Sequence, residues 1–262
     1  MDTEFRDRFA ELWGRFFPSC ELPVTFELTS RETGLAESPP PGRWRCVICD
    51  LARVRRGRDL LVGEGSLSCG GARYSLGYAR ERDPDFRSFL STGKPGSVRG
   101  ERYKRSPELV DAFASQGRFL PAGNRKYLFR RWDRLGEDDS PDVVVFFAGG
   151  DALSGLFTLA NFDRADLHGV TCPFGSGCST VVSYPLLEAG REDPRAVLGM
   201  FDPSARPCVP PGSLSMAFPM ALFRRLVDAM EESFLATETW ARVKERIAGR
   251  NLQAGESLTP GP

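Results

Sequence analysis

Cysteine is the residue type in this chain that is best suited to metal or redox chemistry. The 262 residues include seven cysteines but a single histidine, His168. One histidine excludes every site that needs two or more, such as the paired-histidine zinc proteases and the facial-triad iron oxygenases. Any metal or redox chemistry must therefore rest mainly on thiolates.

Glycine loops surround several of these cysteines. Cys69 lies in Gly65-Ser-Leu-Ser-Cys-Gly-Gly71, ahead of a predicted helix, and Cys172-Pro-Phe-Gly-Ser-Gly-Cys178 is a second such loop. A helix N-terminus lowers the pKa of a thiol, and free N–H groups of a glycine loop bind anions or cluster sulfurs. We predict thiolate ligands and cofactor-lining glycines in these loops: Cys69, Cys172, Cys178, Gly70, Gly175 and Gly177.

Cys46-Val-Ile-Cys49 places two further thiols at a spacing that suits one metal, one cluster or a redox pair. We predict Cys46 as a ligand, whereas the role of Cys49 stays open, and two buried core cysteines are an equal alternative. A second pair at finger spacing is missing, so a zinc ribbon is not expected. Cys20 and Cys208 flank prolines and are interpreted as incidental.

Arg206 is the predicted anion-binding side chain. It lies in Asp202-Pro-Ser-Ala-Arg-Pro207, where a guanidinium can hold a carboxylate or phosphate with two hydrogen bonds, although an ion pair with Asp202 is an alternative. Ala148-Gly-Gly-Asp151 could also cradle an anion, but it lacks the dinucleotide fingerprint and the Walker lysine. A Ser–His–Asp enzyme is not expected, because His168 is more simply a turn residue.

Composition predicts the environment of the protein. Thirty-five basic and 35 acidic side chains give a formal charge of zero, which provides no general field for nucleic acid or an anionic membrane. The sequence shows neither a signal peptide nor a long apolar span, so we predict a cytoplasmic protein with reduced thiols. The expected partner is a small molecule or a redox protein, and neither nucleic acid nor membrane.

Apolar periodicity predicts three strand–loop–helix units. Strands at 60–62, 143–147 and 214–218 each precede a small-residue turn and a helix. Asp151 is the predicted N-cap of the second helix. We predict an α+β, or mixed α/β, single domain with these units around one mixed sheet. It covers residues 1–248, with a flexible C-terminal tail at 249–262.

The chain resembles the domain of unknown function 169 family along almost its whole length. The likeness rests on several motifs along the chain. They are Arg45-Cys46 to Gly57, Leu67-Ser-Cys-Gly-Gly-Ala72 with Leu76-Gly77, Gly100-Glu-Arg-Tyr-Lys-Arg-Ser-Pro-Glu-Leu-Val110, Phe174-Gly-Ser-Gly-Cys178 with Tyr184-Pro185, Leu198-Gly-Met-Phe-Asp202 with Ser204-Ala-Arg-Pro207, and the block from Phe218-Pro219 to Trp240. The family occurs largely in archaea and anaerobic bacteria, and its function is not assigned. The resemblance implies cysteines at the positions of Cys46, Cys69 and Cys178.

These observations lead to one main functional hypothesis and two alternatives. The main hypothesis is a metal or iron–sulfur centre that is held by cysteines in glycine loops and serves a redox, sensing or cluster-dependent role. An iron–sulfur cluster would suit anaerobic relatives. The alternatives are a metal-free enzyme with Cys69 as its nucleophile and a binding module for a small anion.

Overall fold

A computed structural model describes residues 1–43 and 45–249 of the chain. Seven strands form one sheet in the order β2-β3-β1-β4-β7-β6-β5, in which β5 and β6 are parallel and the other pairs antiparallel. The strands are β1 Val24–Thr29, β2 Leu60–Val62, β3 Lys126–Arg131, β4 Val143–Ala148, β5 Val170–Thr171, β6 Ala196–Gly199 and β7 Leu214–Pro219. The predicted mixed α+β class, with strand–loop–helix units around one mixed sheet, is confirmed.

Helices cover both faces of this sheet. The α-helices are α1 Thr3–Phe16, α2 Val47–Arg55, α3 Gly70–Ser75, α4 Phe86–Phe89, α5 Pro107–Ser115, α6 Gly150–Ala160, α7 Tyr184–Ala189, α8 Met220–Ala229 and α9 Glu238–Ile247. A π-helical turn, Ser179–Ser183, leads directly into α7. The 3₁₀ turns are Glu64–Ser66, Trp132–Arg134, Arg206–Cys208 and Phe234–Ala236.

The three predicted strand–loop–helix units are β2 with α3, β4 with α6, and β7 with α8. Two details differ from the prediction. The N-cap of α6 is Gly149, and Asp151 lies within the first turn, so the predicted Asp151 cap is wrong. The apolar spacing predicts that the helix after β7 continues to about Leu235, but it ends at Ala229. Met230–Glu232 form a turn before the next 3₁₀ segment.

Apolar side chains divide between two cores on opposite faces of the sheet. The aromatic core lies under α1, α6, α8 and α9 and contains Phe9, Trp13, Phe17, Trp132, Phe146, Phe218, Phe223 and Trp240. The cysteine core lies under α2, α3 and the π-helical turn. It contains smaller apolar residues, including Ile48, Leu51, Val145 and Val181, together with Cys178, and Cys46, Cys69 and Cys208 pack against it.

Alternation along the strands produces this division, since neighbouring side chains point to opposite faces. In β4, Val144 and Phe146 face the aromatic core, whereas Val143 and Val145 face the cysteine core. Both faces are apolar, so β4 is a continuous hydrophobic run, as expected of a strand that is covered on both sides.

No helix in the described part of the chain is both long enough and apolar enough to cross a bilayer. The predicted tail lies outside the described residues from position 250 onwards, and so does Trp44.

Candidate functional site

Three cysteines lie where helices begin beside the cysteine core. Cys46 is the N-cap of α2, Cys69 is the N-cap of α3, and Cys178 immediately precedes the π-helical turn. Their side chains belong to the cysteine core or pack against it. The fold thus gathers cysteines that are up to 132 positions apart in the chain (178 − 46).

The tightest group of sulfur atoms is formed by Cys46, Cys49 and Cys208, whose Sγ atoms all lie within 4.8 Å of one another. Cys46 and Cys49 are one turn apart at the start of α2, and Cys208 arrives on the Arg206–Cys208 turn. This group could hold a metal ion. Cys208 was interpreted as incidental, and the structure corrects that interpretation.

Cys49 and Cys208 are joined by a disulfide, with their Cα atoms 4.5 Å apart. The expectation that all cysteines are reduced is therefore wrong for this pair, whose two residues lie 159 positions apart in the sequence. The other five cysteines are free thiols.

The thiols of Cys46 and Cys178 share a hydrogen bond, and it sets their acidity. The Cys178 thiol donates to the Cys46 sulfur and lowers the pKa of Cys46 to about 6, although partial burial acts in the opposite direction. The N–H groups of Cys49 and Ile48 at the start of α2 lower the Cys46 pKa further. Because it is the donor and is buried, Cys178 has a pKa raised well above the usual thiol value. Of the two thiols, Cys46 is thus the more acidic.

Cys69 lies close enough to Cys178 for its charge to raise the Cys178 pKa as well. Serine hydroxyls join the C-terminal end of α3 to the π-helical turn that follows Cys178. Ser75 Oγ is 3.0 Å from Ser179 Oγ, and Ser183 Oγ donates to the Ser75 carbonyl oxygen at 2.7 Å. Cys69, on α3, is therefore placed relative to Cys178 by hydrogen bonds between their own helices.

The remaining two free cysteines lie elsewhere. Cys172 is exposed, and burial is the sole cause of its modestly raised pKa. Cys20 packs against the aromatic core, where burial first and the Glu21 charge second raise its pKa to about 11. Of the four predicted ligands, Cys46, Cys69 and Cys178 thus lie beside one core, whereas Cys172 is exposed and packs against neither core.

The backbone N–H of Gly177, which the sequence predicts as part of an anion-binding loop, already has a partner within the protein. The Gly177 N–H donates to the Asp202 carboxylate at 3.1 Å. That carboxylate also accepts hydrogen bonds from Tyr103 Oη and from the backbone and hydroxyl of Ser204. A protein carboxylate thus takes the place that we had predicted for an anionic ligand.

Arg206 does not contact the Asp202 carboxylate, so the ion pair that we considered as an alternative is not formed. Its guanidinium donates to the Met200 carbonyl oxygen at 3.2 Å and to the Ser213 carbonyl oxygen. Met200 is buried and has a left-handed backbone, with φ of 66°, which is uncommon for a residue other than glycine. Arg206 therefore braces the loop that carries Cys208 between β6 and β7.

The predicted glycines are positions of close approach. A Cβ atom at Gly177 would lie 2.9 Å from Ala205 Cβ, 3.1 Å from Met200 Sδ and 3.3 Å from Ile48 Cγ1. At Gly175 it would lie 2.8 Å from the Tyr184 ring, and at Gly70 it would make ordinary contact with Asp83 at 3.4 Å. Gly177 thus lets the start of the Cys178 helix touch both α2 and the Cys208 loop.

Sequence reasoning missed Cys208 and left Cys49 undecided. The spacing of Cys46 and Cys49 did indicate that the two thiols share a site. Nothing around Cys208 in the sequence signals its role, because its partners are more than 150 residues away.

A family model for an uncharacterised group, described as ArCR, matches residues 21–229. The chain belongs to this domain of unknown function 169 family. The match spans β1 to α8, so it includes both halves of the sheet and every cysteine of the group beside α2. The resemblance predicted from the motifs is confirmed. No curated protein matches the chain, and no solved structure matches it.

Proposed function

We propose that this family member binds one thiophilic metal ion between the start of α2 and the Arg206–Cys208 turn. Three ligands would be Cys46, Cys49 and Cys208, and Cys178 would be the fourth. The observation that carries the proposal is the convergence of three sulfur atoms within 4.8 Å. The hydrogen bond between Cys46 and Cys178 supports the fourth position.

The sulfur spacing favours a single ion over a cluster. Two thiolates on a tetrahedral Zn²⁺, each about 2.3 Å from the metal, lie about 3.8 Å apart. In a [4Fe–4S] cluster each cysteine binds a different iron atom, so the ligands must stand farther apart than those around one ion. Cys46 Sγ lies within 4.8 Å of both sulfurs of the bonded Cys49–Cys208 pair, which fits one shared ion better than a [4Fe–4S] cluster.

Four thiolates would leave no open coordination position for a substrate. Such closed sites are typical of structural or electron-transfer centres rather than of hydrolytic ones. We therefore propose a redox or sensing role, with a small molecule or a redox protein as the partner. Metal binding needs the Cys49–Cys208 pair in its reduced form, because only thiolates are ligands.

Cobalt binding tests the proposal. The reduced protein, handled without oxygen, is titrated with Co²⁺, whose thiolate charge-transfer and tetrahedral ligand-field absorption report the ligands directly. We expect one Co²⁺ per chain, displaced by Zn²⁺. Cys46→Ser and Cys208→Ser should each weaken binding about tenfold or more, whereas Cys20→Ser, on the opposite face of the sheet, should bind as the unmodified chain does.

Two outcomes would change the assignment. If the reduced protein binds Co²⁺ no more tightly than the triple variant Cys46→Ser/Cys49→Ser/Cys208→Ser, the proposal is wrong. A brown protein with bound iron and acid-labile sulfide after anaerobic purification would instead establish the iron–sulfur centre of our sequence-based hypothesis.

A further inference from the structure

The Cys49–Cys208 disulfide lies beside a third sulfur atom that is free. Cys46 Sγ is within 4.8 Å of both bonded sulfurs, and Cys46 is a free thiol. Disulfides exchange when a thiolate attacks one of the two bonded sulfurs. The geometry therefore holds an attacking group next to a disulfide within one folded chain.

Cys46 and Cys49 can also form a bond with each other without rearrangement of the sheet. Cys46 is the N-cap of α2 and Cys49 its third residue, so both lie on the same face of the first turn. Cys49 thus has two potential partners: Cys46 on its own helix and Cys208 on the facing loop.

The exposure of the three residues indicates where a thiol from solution would enter. Cys49 is exposed, whereas Cys46 and Cys208 are only partly so. An outside thiol therefore reaches Cys49 most readily, and Cys49 is also the sulfur that both internal partners share.

We propose that Cys46, Cys49 and Cys208 form a thiol–disulfide relay for thiol substrates, with Cys49 as the shared sulfur. An outside thiolate attacks Cys49 Sγ, the bond to Cys208 breaks, and Cys208 leaves as a thiolate. Cys46 thiolate then attacks Cys49 Sγ, which forms the Cys46–Cys49 disulfide and releases the outside thiolate. Cys49 has exchanged Cys208 for Cys46 as its disulfide partner, and the protein has gained or lost no electrons.

A substrate with two thiols gives the net redox reaction. Its second thiolate attacks its own sulfur in the mixed disulfide and releases Cys49 as a thiolate. The substrate leaves with a disulfide, having lost two electrons and two protons, and Cys49 and Cys208 remain as the reduced pair. This reduced pair would also be the metal-binding form, but the relay itself needs no metal.

Oxidised glutathione tests the resolving step. In reduced Cys208→Ser protein, Cys49 attacks glutathione disulfide, forms a mixed disulfide and releases one glutathione. Cys46 should then displace the second glutathione and leave a Cys46–Cys49 bond. In Cys46→Ser/Cys208→Ser protein the adduct on Cys49 should persist about tenfold longer or more, as followed by acid quenching and peptide mass mapping.

The matched control is Cys172→Ser/Cys208→Ser, which removes an exposed thiol from another part of the molecule and should resolve the adduct like Cys208→Ser. Circular dichroism verifies that all three variants fold. Equal lifetimes of the Cys49 adduct with and without Cys46 would overturn the relay. Because no metal is present, that result would leave the metal proposal standing, and failed cobalt binding would leave the relay standing.

Discussion

The two faces of the sheet are built from different side chains for different purposes. In the aromatic core, rings pack edge to face, and Phe9 contacts Trp132 and Phe223 with both ring centroids 4.9 Å away. In the cysteine core, smaller side chains leave room for sulfur atoms, glycine contacts and a strained loop. Large apolar contacts stabilise the first face, whereas the second uses hydrogen bonds and close approaches to position reactive groups.

This contrast has a physical basis. A buried phenylalanine ring contributes a large apolar area and needs no hydrogen-bond partner. A thiolate beside a core needs hydrogen-bond donors and a nearby acid, which Cys46 receives from helix N–H groups and from Cys178. We therefore expect mutations on the aromatic face to change stability, and those on the cysteine face to change chemistry as well.

Phe9→Ala should have the largest effect on stability. Phe9 is almost fully buried between rings of the aromatic core, and its loss should cost about 3–5 kcal/mol in the free energy of unfolding. Urea unfolding measures this cost. Phe201→Ala, at an exposed ring, should change the free energy by about 0.5 kcal/mol or less. A comparable loss in both variants would contradict the assigned role of the aromatic core.

Gly177→Ala should cost about 1–3 kcal/mol, because the added methyl group overpacks the contact with Ala205 and Met200. It should also weaken Co²⁺ binding by shifting Cys178 away from Cys46. Gly14→Ala is the matched control. A Cβ at Gly14, within α1, meets nothing within 4 Å, so this change should stabilise the protein by about 0.5–1 kcal/mol. Equal effects in the two variants would refute the proposed close approach.

Arg206→Met distinguishes a structural role of Arg206, in which it holds the Cys208 loop, from a role in anion binding. Loss of the hydrogen bonds to Met200 and Ser213 should cost about 1–2 kcal/mol and lower Co²⁺ affinity through the Cys208 loop. Arg8→Met removes an exposed pair with Asp228 and should cost about 0.5 kcal/mol or less. If Arg206→Met instead abolished phosphate binding and left stability unchanged, the result would support the predicted anion site.

Cys178→Ala should have the smallest effect on folding among these variants, but it should change the pKa of Cys46. In the metal-free protein, the pH profile of Cys46 alkylation should have its midpoint near the pKa of about 6. The Cys178 hydrogen bond stabilises the thiolate, so its removal must raise this pKa and move the midpoint to higher pH. Peptide mapping after iodoacetamide treatment measures the profile. Cys172→Ala should leave it in place, and an unchanged midpoint in Cys178→Ala would show that the hydrogen bond does not set the acidity.

Much of the fold was predictable from local patterns. Helix α1 follows from the spacing of its buried residues, and it begins where the Asp2 side chain accepts the N–H of Glu4 at 2.9 Å. Strand β4 follows from an unbroken apolar run. Strand β3 was not predicted, because its apolar residues run into Arg130 and Arg131. Arg130 is partly buried, and its charge is compensated by Asp139 and Asp59. That compensation comes from another segment, so no local rule reveals it.

The site was only partly predictable. A composition of seven cysteines and a single histidine pointed to sulfur chemistry. The Cys46–Cys49 spacing indicated a shared site, because a helical turn places residues three apart on one face. The grouping of Cys208 with them, the separate position of Cys172 and the internal partners of Arg206 arose only from the tertiary structure. Periodicity and turn signals act over a few residues, whereas the disulfide spans 159. Sequence determined which atoms could react, and the fold decided which of them meet, because contacts between distant segments depend on how the whole sheet is ordered.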